Sequence, residues 1–546
     1  MGGLGNRTPL SKNMKNKKVF IGLASLLLVL GVTACNKKEG GEQPGGDDKE
    51  ESLMIDATIN RQILNEDDLS DAQITCALEG VSYHSSNEKV VEVNSRGYIE
   101  VVDKGDAFVT VSKDGHFDKV FKVFVDRDNT IDYLVEGFEF GPAIVGIKIS
   151  LPGKVTKTAL EGATFTARTN NSNRQINKVS LCDIEGQYVT DSESKYVRLD
   201  LQTNYSGWGV QNGAGCFTYA NSVNNWTQNI TADVTFTSAL QVGSETIASG
   251  TKIDRIRTRT TLSTRDWGEA KSFTAYDYTL TYKAYEVEAL RLDGVKNPLV
   301  VWLHGMGEGG TDPDIALLGN DVTALGEEEI QSHFVKGQQK GAYVLAVQTP
   351  TYWMNSGTGS INGGVGHSIY TQTLKATIDD FIEHNLDIDT NRIYVGGCSN
   401  GGYMTMEMAV TYGSFFRAFY PCCEAYSDSF VTDEDIQKLK DLPMWFIHAA
   451  NDTTVNANNF VIPTYQRLMR AGAKDIHFSY FVDVRGTDGN PSGNSYQGHY
   501  SWIYIFRDEV EFDQADPENI KAPSDQPVKD ANGNTVNLFD WMESMK

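Results

Sequence analysis

Positive charge is what this chain has least of. Its 546 residues carry 48 Lys and Arg against 72 Asp and Glu, a formal net charge of −24. Such a surface repels phosphate backbones and anionic bilayers, which excludes nucleic acid and a charged lipid face as partners. Long apolar runs are scarce too: the stretch Val19 to Val32 is shorter than the ~20 residues that cross a bilayer comfortably. Seven cysteines and nine histidines show no metal-like spacing, so neither metal nor other cofactor is expected. No repeat of propeller-blade length is visible. Core-forming residues, by contrast, are plentiful. With 40% hydrophobic and 10% aromatic residues the composition is globular, and the length calls for about three or four folding units.

The densest chemistry lies between Arg392 and Met408. Ile393-Tyr394-Val395 reads as a buried strand and Tyr403 to Val410 as a helix, with Gly397-Cys398-Ser399-Asn400-Gly401 between them. A strand forced into a helix over so few residues strains its turn residue and lifts that side chain above the sheet edge. The flanking glycines are required because a Cβ there collides with neighbouring backbone. Cys398 precedes the apex, so its side chain is expected to point into the sheet. This G-x-S-x-G turn resembles the nucleophile elbow of the α/β-hydrolases, which makes Ser399 the candidate nucleophile.

The context agrees with that resemblance. Pro298 to Leu303 is a continuous apolar run, as in a parallel strand covered on both faces. It opens into His304-Gly305-Met306-Gly307-Glu308-Gly309-Gly310, which resembles the oxyanion loop of the fold. A tetrahedral intermediate needs two N–H donors, assigned to the backbone of Met306 and of Asn400; His304 reads as structural. The acid is assigned to Asp452, in the loop after the strand Met444 to His448. The base is assigned to His499, the one histidine that follows Asp452 in a loop ahead of a helix-like segment. The chain order Ser399, Asp452, His499 is that of the α/β-hydrolases. Tyr352 and Trp353, in the Gly- and Ser-rich segment Thr349 to His367, are candidates for substrate contact at the rim.

Ahead of the hydrolase lie an export signal and two β-rich regions. Lys15, Lys17 and Lys18 precede the apolar run, which ends in Val32-Thr33-Ala34-Cys35. That ending resembles a bacterial lipobox and implies lipidation of Cys35, so the membrane is expected as a partner only through this anchor. Ser85 to Val111 resembles bacterial Ig-like modules and reads as a spacer. Thr130 to Ala275 shows no long helical period, and Trp208, Tyr219 and Trp226 within it read as packing or as a binding surface. Cys182 with Cys216, and Cys398 with Cys422 or Cys423, are conceivable pairs, with free buried thiols expected at Cys422 and Cys423.

Together, Asp132-Tyr133-Leu134-Val135-Glu136-Gly137-Phe138 and the motifs above resemble α/β-hydrolase esterases with an Ig-like N-terminal domain, related to polyhydroxybutyrate depolymerases and feruloyl esterases. The expected fold is multidomain: all-β Ig-like sandwiches, then an α/β-hydrolase domain with a mostly parallel, doubly wound sheet. The expected divisions are a leader at 1–34, a tether at 35–52, β domains at 53–127 and 128–275, a hydrolase at 276–515 and a polar tail at 516–546. The implied activity is a serine esterase acting on small or polysaccharide-linked esters. A prolyl-oligopeptidase-type peptidase and a non-catalytic adhesion protein are the alternatives; the absent blade repeat and the intact triad weigh against them.

Overall fold

The computed structural model describes residues 53–65, 72–206, 209–358, 367–486, 495–530 and 532–545. Cys35, the leader and tether, and Trp208 lie outside the described residues.

The C-terminal half is built on an eight-stranded sheet. Its strands are β1 (Lys271–Ala275), β2 (Tyr278–Tyr285), β3 (Asn297–Leu303), β4 (Tyr343–Gln348), β5 (Ile388–Cys398), β6 (Ala418–Cys422), β7 (Met444–Ala449) and β8 (Ile476–Phe481). The spatial order is β1-β2-β4-β3-β5-β6-β7-β8, with β1 and β2 antiparallel to their neighbours and the remaining pairings parallel. Both faces are covered, which is why β3 reads as an unbroken apolar run. Leu299, Val301 and Leu303 pack towards helices α1 (Thr371–His384), α2 (Asn400–Tyr412) and α3 (Val461–Arg470). Val300 and Trp302 point the other way, into a core with Phe334, Trp502 and Phe539. From β3 the chain runs to β4 on one side and then to β5 on the other. The crevice at that reversal is where an open α/β sheet places its ligands.

Two features differ from the sequence pattern. Lys271–Ala275 belongs to the sheet, joined to β2 by Tyr276 and Asp277 at φ 50° and 68°. As a half-exposed edge strand it carries no apolar run to mark it. The segment after residue 515, set apart as a polar tail, is packed against the sheet: helix Leu538–Ser544 buries Leu538, Phe539, Trp541 and Met542. Seven residues are too few for a periodic signal.

Ahead of the sheet, a five-stranded and a four-stranded sheet share one core. Ile131, Ile147 and Val197 face Ala167, Val234 and Phe236. A smaller β domain precedes it, with Val109, Val111, Val123 and Val125 in its core. It is packed directly onto the second β domain. The buried Arg257 guanidinium bonds Asp132 in the second β domain and reaches Asp106 and the Gly105 carbonyl in the first. Lys148, also fully buried, completes the network at 2.7 Å from Asp132. Opposite charges at that depth hold one another, and removing one partner typically costs about 3–5 kcal/mol.

Two histidines tie the C-terminal segment to the sheet domain. His333 lies between Asp508 and Asp540, at 2.9 and 2.8 Å; Asp508 leads in raising it, to about 9, against partial burial. Burial opposes charge on His477, yet Asp475 and Asp513 raise it to about 9 as well. Asp475 also accepts from Trp541 Nε1. Folded values above the ~6.5 of a free imidazole stabilise fully below that pH, and the contribution fades as pH rises through 9. Stability should therefore fall over that interval, by the order of 2 kcal/mol for each clamp after screening, and the thermal midpoint with it. A His333→Gln/His477→Gln variant should start lower and show a flatter profile; equal slopes in both proteins contradict the clamps.

Candidate active site

Strand β5 ends at Cys398 and α2 begins at Asn400, so Ser399 alone makes the turn. Its backbone sits at φ 56°, ψ −111°, a region that costs a non-glycine residue about 1–3 kcal/mol. The strain is held by Ser399 N–H donating to the Cys422 carbonyl at 2.9 Å and Tyr403 N–H donating to the Ser399 carbonyl at 2.8 Å. A Cβ on Gly401 would lie 1.9 Å from the Leu303 carbonyl oxygen, and one on Gly397 would lie 2.4 Å from it. The helix thus starts three residues before Tyr403, with two glycines in its first turn. Ser399 is partly exposed. Cys398 is buried in the core beneath, its thiol pushed well up by burial, and is no rival nucleophile.

The structure brings Asp452 and His499 together: Asp452 Oδ2 lies 2.8 Å from His499 Nδ1. Asp452 is fixed from its own loop, its Oδ1 accepting the N–H groups of Thr454 and Val455 at 2.8 and 2.9 Å. Gln497 joins the two loops, accepting from His499 N–H and donating to Thr454 Oγ1. Burial alone would raise the Asp452 carboxyl, but His448, His499 and the Val455 N–H hold it well below the usual carboxylate range. His499 is pulled down by burial and pushed up by Asp452 and Cys423. The Cys423 thiol is itself raised far above its ordinary value by burial. It is therefore uncharged near neutrality, and Asp452 is the partner that raises His499. The turn Cys422-Cys423 spans the site, holding Ser399 N–H through one residue and touching the His499 ring through the next.

The loop His304 to Gly310 abuts the turn at Ser399. A Cβ on Gly305 would lie 3.5 Å from Cys398 Sγ. His304 is fully buried, and burial lowers it to about 4. Its Nε2 accepts Thr349 N–H at 3.1 Å and its Nδ1 donates to the Gly305 carbonyl, which fixes the neutral tautomer and the loop with it. Met306 opens the short helical turn Met306–Glu308. Burial raises the Glu308 carboxyl to about 7, while Asn224 Nδ2 and the loop's own N–H groups donate to it.

Trp353 is a correction. It is fully buried, its ring 5.3 Å from that of His304 and 6.3 Å from that of Tyr370, and so presents no face to a substrate. Its backbone N–H donates to Asn400 Oδ1, so the Asn400 side chain tethers the rim segment to the elbow. Tyr352 keeps partial exposure. Four contributors have no sequence motif: Asn224, Glu308, Cys423 and His448, whose Nε2 lies 2.9 Å from the Val455 carbonyl and 3.3 Å from Asp452 Oδ2. An acid inside a Gly-rich loop was the one available signal, for Glu308. The six described cysteines are free. Among the described residues there is no group of three or more His, Cys, Asp or Glu placed to hold a metal ion, and no helix is long and apolar enough to cross a membrane.

No family model matches the chain, and no curated protein matches it. Among solved structures it is similar to a thermostable esterase: 22% identity, 69% of this chain and 96% of that one, TM-score 0.56. Fainter likeness extends to Est1E from Butyrivibrio proteoclasticus (14% identity, 40% and 90% covered, TM-score 0.27). An acetyl xylan esterase from Aspergillus awamori is comparable (16% identity, 37% and 80% covered, TM-score 0.27). At such identities the first likeness speaks for fold alone. It covers more of the chain than the sheet domain occupies, so it takes in β-rich chain ahead of the sheet.

The Asp452 contact sets a measurable value. The His499 imidazole should titrate above 6.5, followed by NMR, and Asp452→Asn should bring it below 6.5 because burial is then the main influence left. Titration at or below 6.5 in the native protein contradicts the pairing.

Proposed function

We propose that this chain is a serine esterase that hydrolyses carboxylic esters through an acyl-enzyme on Ser399. One observation carries the reading: a serine in strained backbone at the turn from β5 to α2, with the buried Asp452–His499 pair tied to the same Cys422-Cys423 turn. His499 takes the Ser399 proton as Oγ attacks the ester carbonyl, while Asp452 holds the ring in one tautomer and stabilises its cation. The oxyanion is received by the N–H groups of Met306 and Asn400, each worth about 3 kcal/mol of barrier. His499 then protonates the leaving alcohol, and water repeats the sequence on the acyl-enzyme. The likeness of fold to a thermostable esterase supports the reaction class.

The acyl group we assign is short or aromatic, with acetyl or feruloyl esters of plant polysaccharide as the natural form. The short rim segment and the partly exposed Tyr352 support an open cleft; the buried Trp353 offers it no ring. The lipobox-like ending at Cys35 supports export and anchorage of the mature enzyme outside the cytoplasm.

Nucleophile and base act as one unit, so Ser399→Ala or His499→Ala alone should lower turnover by roughly 10⁴ to 10⁶-fold with thermal stability retained. On a panel of esters and peptides the purified ectodomain should cleave p-nitrophenyl acetate and butyrate, long-chain esters less well, and peptides not at all. Ordinary activity in Ser399→Ala sinks the nucleophile assignment. Peptide cleavage exceeding ester cleavage moves the protein to the peptidase class.

A further inference from the structure

The second β domain reaches the site through a hairpin, in which Phe217–Ala220 pairs with Val223–Trp226. Asn221 and Ser222, at φ 54° and 67°, make its reversal. Two of its side chains are anchored on the oxyanion side of the sheet domain. Asn224 Nδ2 donates to Glu308 Oε1 at 3.0 Å, and Trp226 Nε1 donates to Asp312 Oδ2 at 2.7 Å. The Arg259 guanidinium lies 3.5 Å over the Trp226 ring. Tyr219 is different. It is 67% exposed, although its ring edge comes within 3.7 Å of where a Gly307 Cβ would lie, next to the oxyanion donor Met306. A large ring held in the open by an otherwise anchored hairpin costs apolar exposure and recovers it when a ligand covers the ring.

The other side of this opening belongs to the base. Tyr500 follows His499 directly and lies within electrostatic range of Tyr219, Tyr205 and Glu308. Its ring is braced by Trp502 at 4.8 Å and Tyr496 at 6.2 Å, and Trp502 in turn lies 5.7 Å from the His499 ring. Tyr219 thus stands against the loop that carries Met306, and Tyr500 beside His499 in the neighbouring loop. The group that protonates the leaving oxygen must stand beside it, so this is the alcohol side of the ester.

We propose that Tyr219, with Tyr500, forms a stacking subsite for a sugar ring in the alcohol part of the ester, so that a residue of the second β domain sets substrate selectivity. The inference rests on the esterase reading. A ring face takes the C–H face of a sugar, and the phenol hydroxyls lie at its edge for the sugar's own hydroxyls. The chain's acidity disfavours an anionic alcohol.

The test compares kcat/KM for an acetylated methyl xyloside, phenyl acetate and ethyl acetate in the full ectodomain and in Tyr219→Ala and Tyr219→Phe. In Tyr219→Ala the selectivity for sugar over ethyl acetate should fall about five- to tenfold, mainly through KM. Tyr219→Phe, which keeps the ring face, should retain most of it. Equal losses on all three esters make Tyr219 a structural residue and overturn the subsite. A loss confined to phenyl acetate overturns the sugar and leaves an aryl group in its place. A native protein that cleaves ethyl acetate with no preference for the sugar ester overturns the subsite while the esterase reading stands. A native protein inactive on all three overturns both.

Discussion

The close approach of Gly401 to the Leu303 carbonyl governs the active-site half of this molecule. No side chain fits between them, so the start of α2 lies flush against the end of β3. Flush packing leaves one residue to reverse the chain, and Ser399 absorbs the reversal in a positive-φ conformation. The contact also places the His304-Gly305-Met306 loop, which continues β3, beside the residue that follows the serine. Ser399 and the backbone N–H groups proposed as oxyanion donors are thus placed by a single backbone contact. A methyl group at position 401 would have to part β3 from the elbow, which displaces all of them together.

Around that contact the site is assembled by loops that secure one another. His304 binds Thr349, Trp353 binds Asn400, Gln497 binds Thr454, and Cys422 binds Ser399. Loops carry function on a rigid scaffold because they are free to vary; here their freedom is removed by bonds between loops. The second β domain contributes in the same way. Tyr496, three residues before His499, donates to Glu139 at 2.8 Å and stacks on Tyr205 at 5.6 Å. Tyr205 stacks on Phe140 at 4.7 Å. With Asn224 on Glu308, that domain contacts the loop that carries His499 and the loop that carries Met306 alike.

What could be read in the sequence followed from short-range physics. The runs Pro298 to Leu303 and Tyr343 to Gln348 announce strands because both faces are covered, and Gly397 to Gly401 announces the elbow because sterics allow nothing larger. The motif order alone pointed to Asp452 and His499. What was hidden depended on distant partners. Trp353 is an aromatic in a polar, Gly-rich segment, the pattern of a rim residue, yet His304 and Tyr370 enclose it. Asn400 reads as a donor through its backbone N–H alone, and its side chain turns out to bind the neighbouring segment. The C-terminal helix is apolar at Leu538, Phe539, Trp541 and Met542 but is short and follows a polar segment, with His333 and His477 supplying ties that no local pattern encodes.

The same reasoning explains why the domains do not read as beads on a string. Asp132 lies within a β strand of the second domain, and its charge is tolerable there only because Lys148 and Arg257 are buried with it. Arg257 carries more donors than Asp132 can satisfy, and the remainder go to Asp106 and the Gly105 carbonyl of the first domain. Removing the first domain would open that guanidinium to water and withdraw one of its counter-charges, which loosens Asp132 in turn. The second domain meets the sheet domain by a similar device: Arg259 and Lys283 share Asp314, at 3.3 and 2.7 Å, across the junction. At each junction an ion pair within one domain is thus extended by a charge from the next: Asp106 adds to the Asp132–Arg257 pair, and Arg259 to the Asp314–Lys283 pair. The hairpin bearing Tyr219 and Asn224 is held at the Met306–Glu308 turn by Asn224 on Glu308 and by Trp226 on Asp312, with Arg259, which also pairs with Asp314, lying over the Trp226 ring.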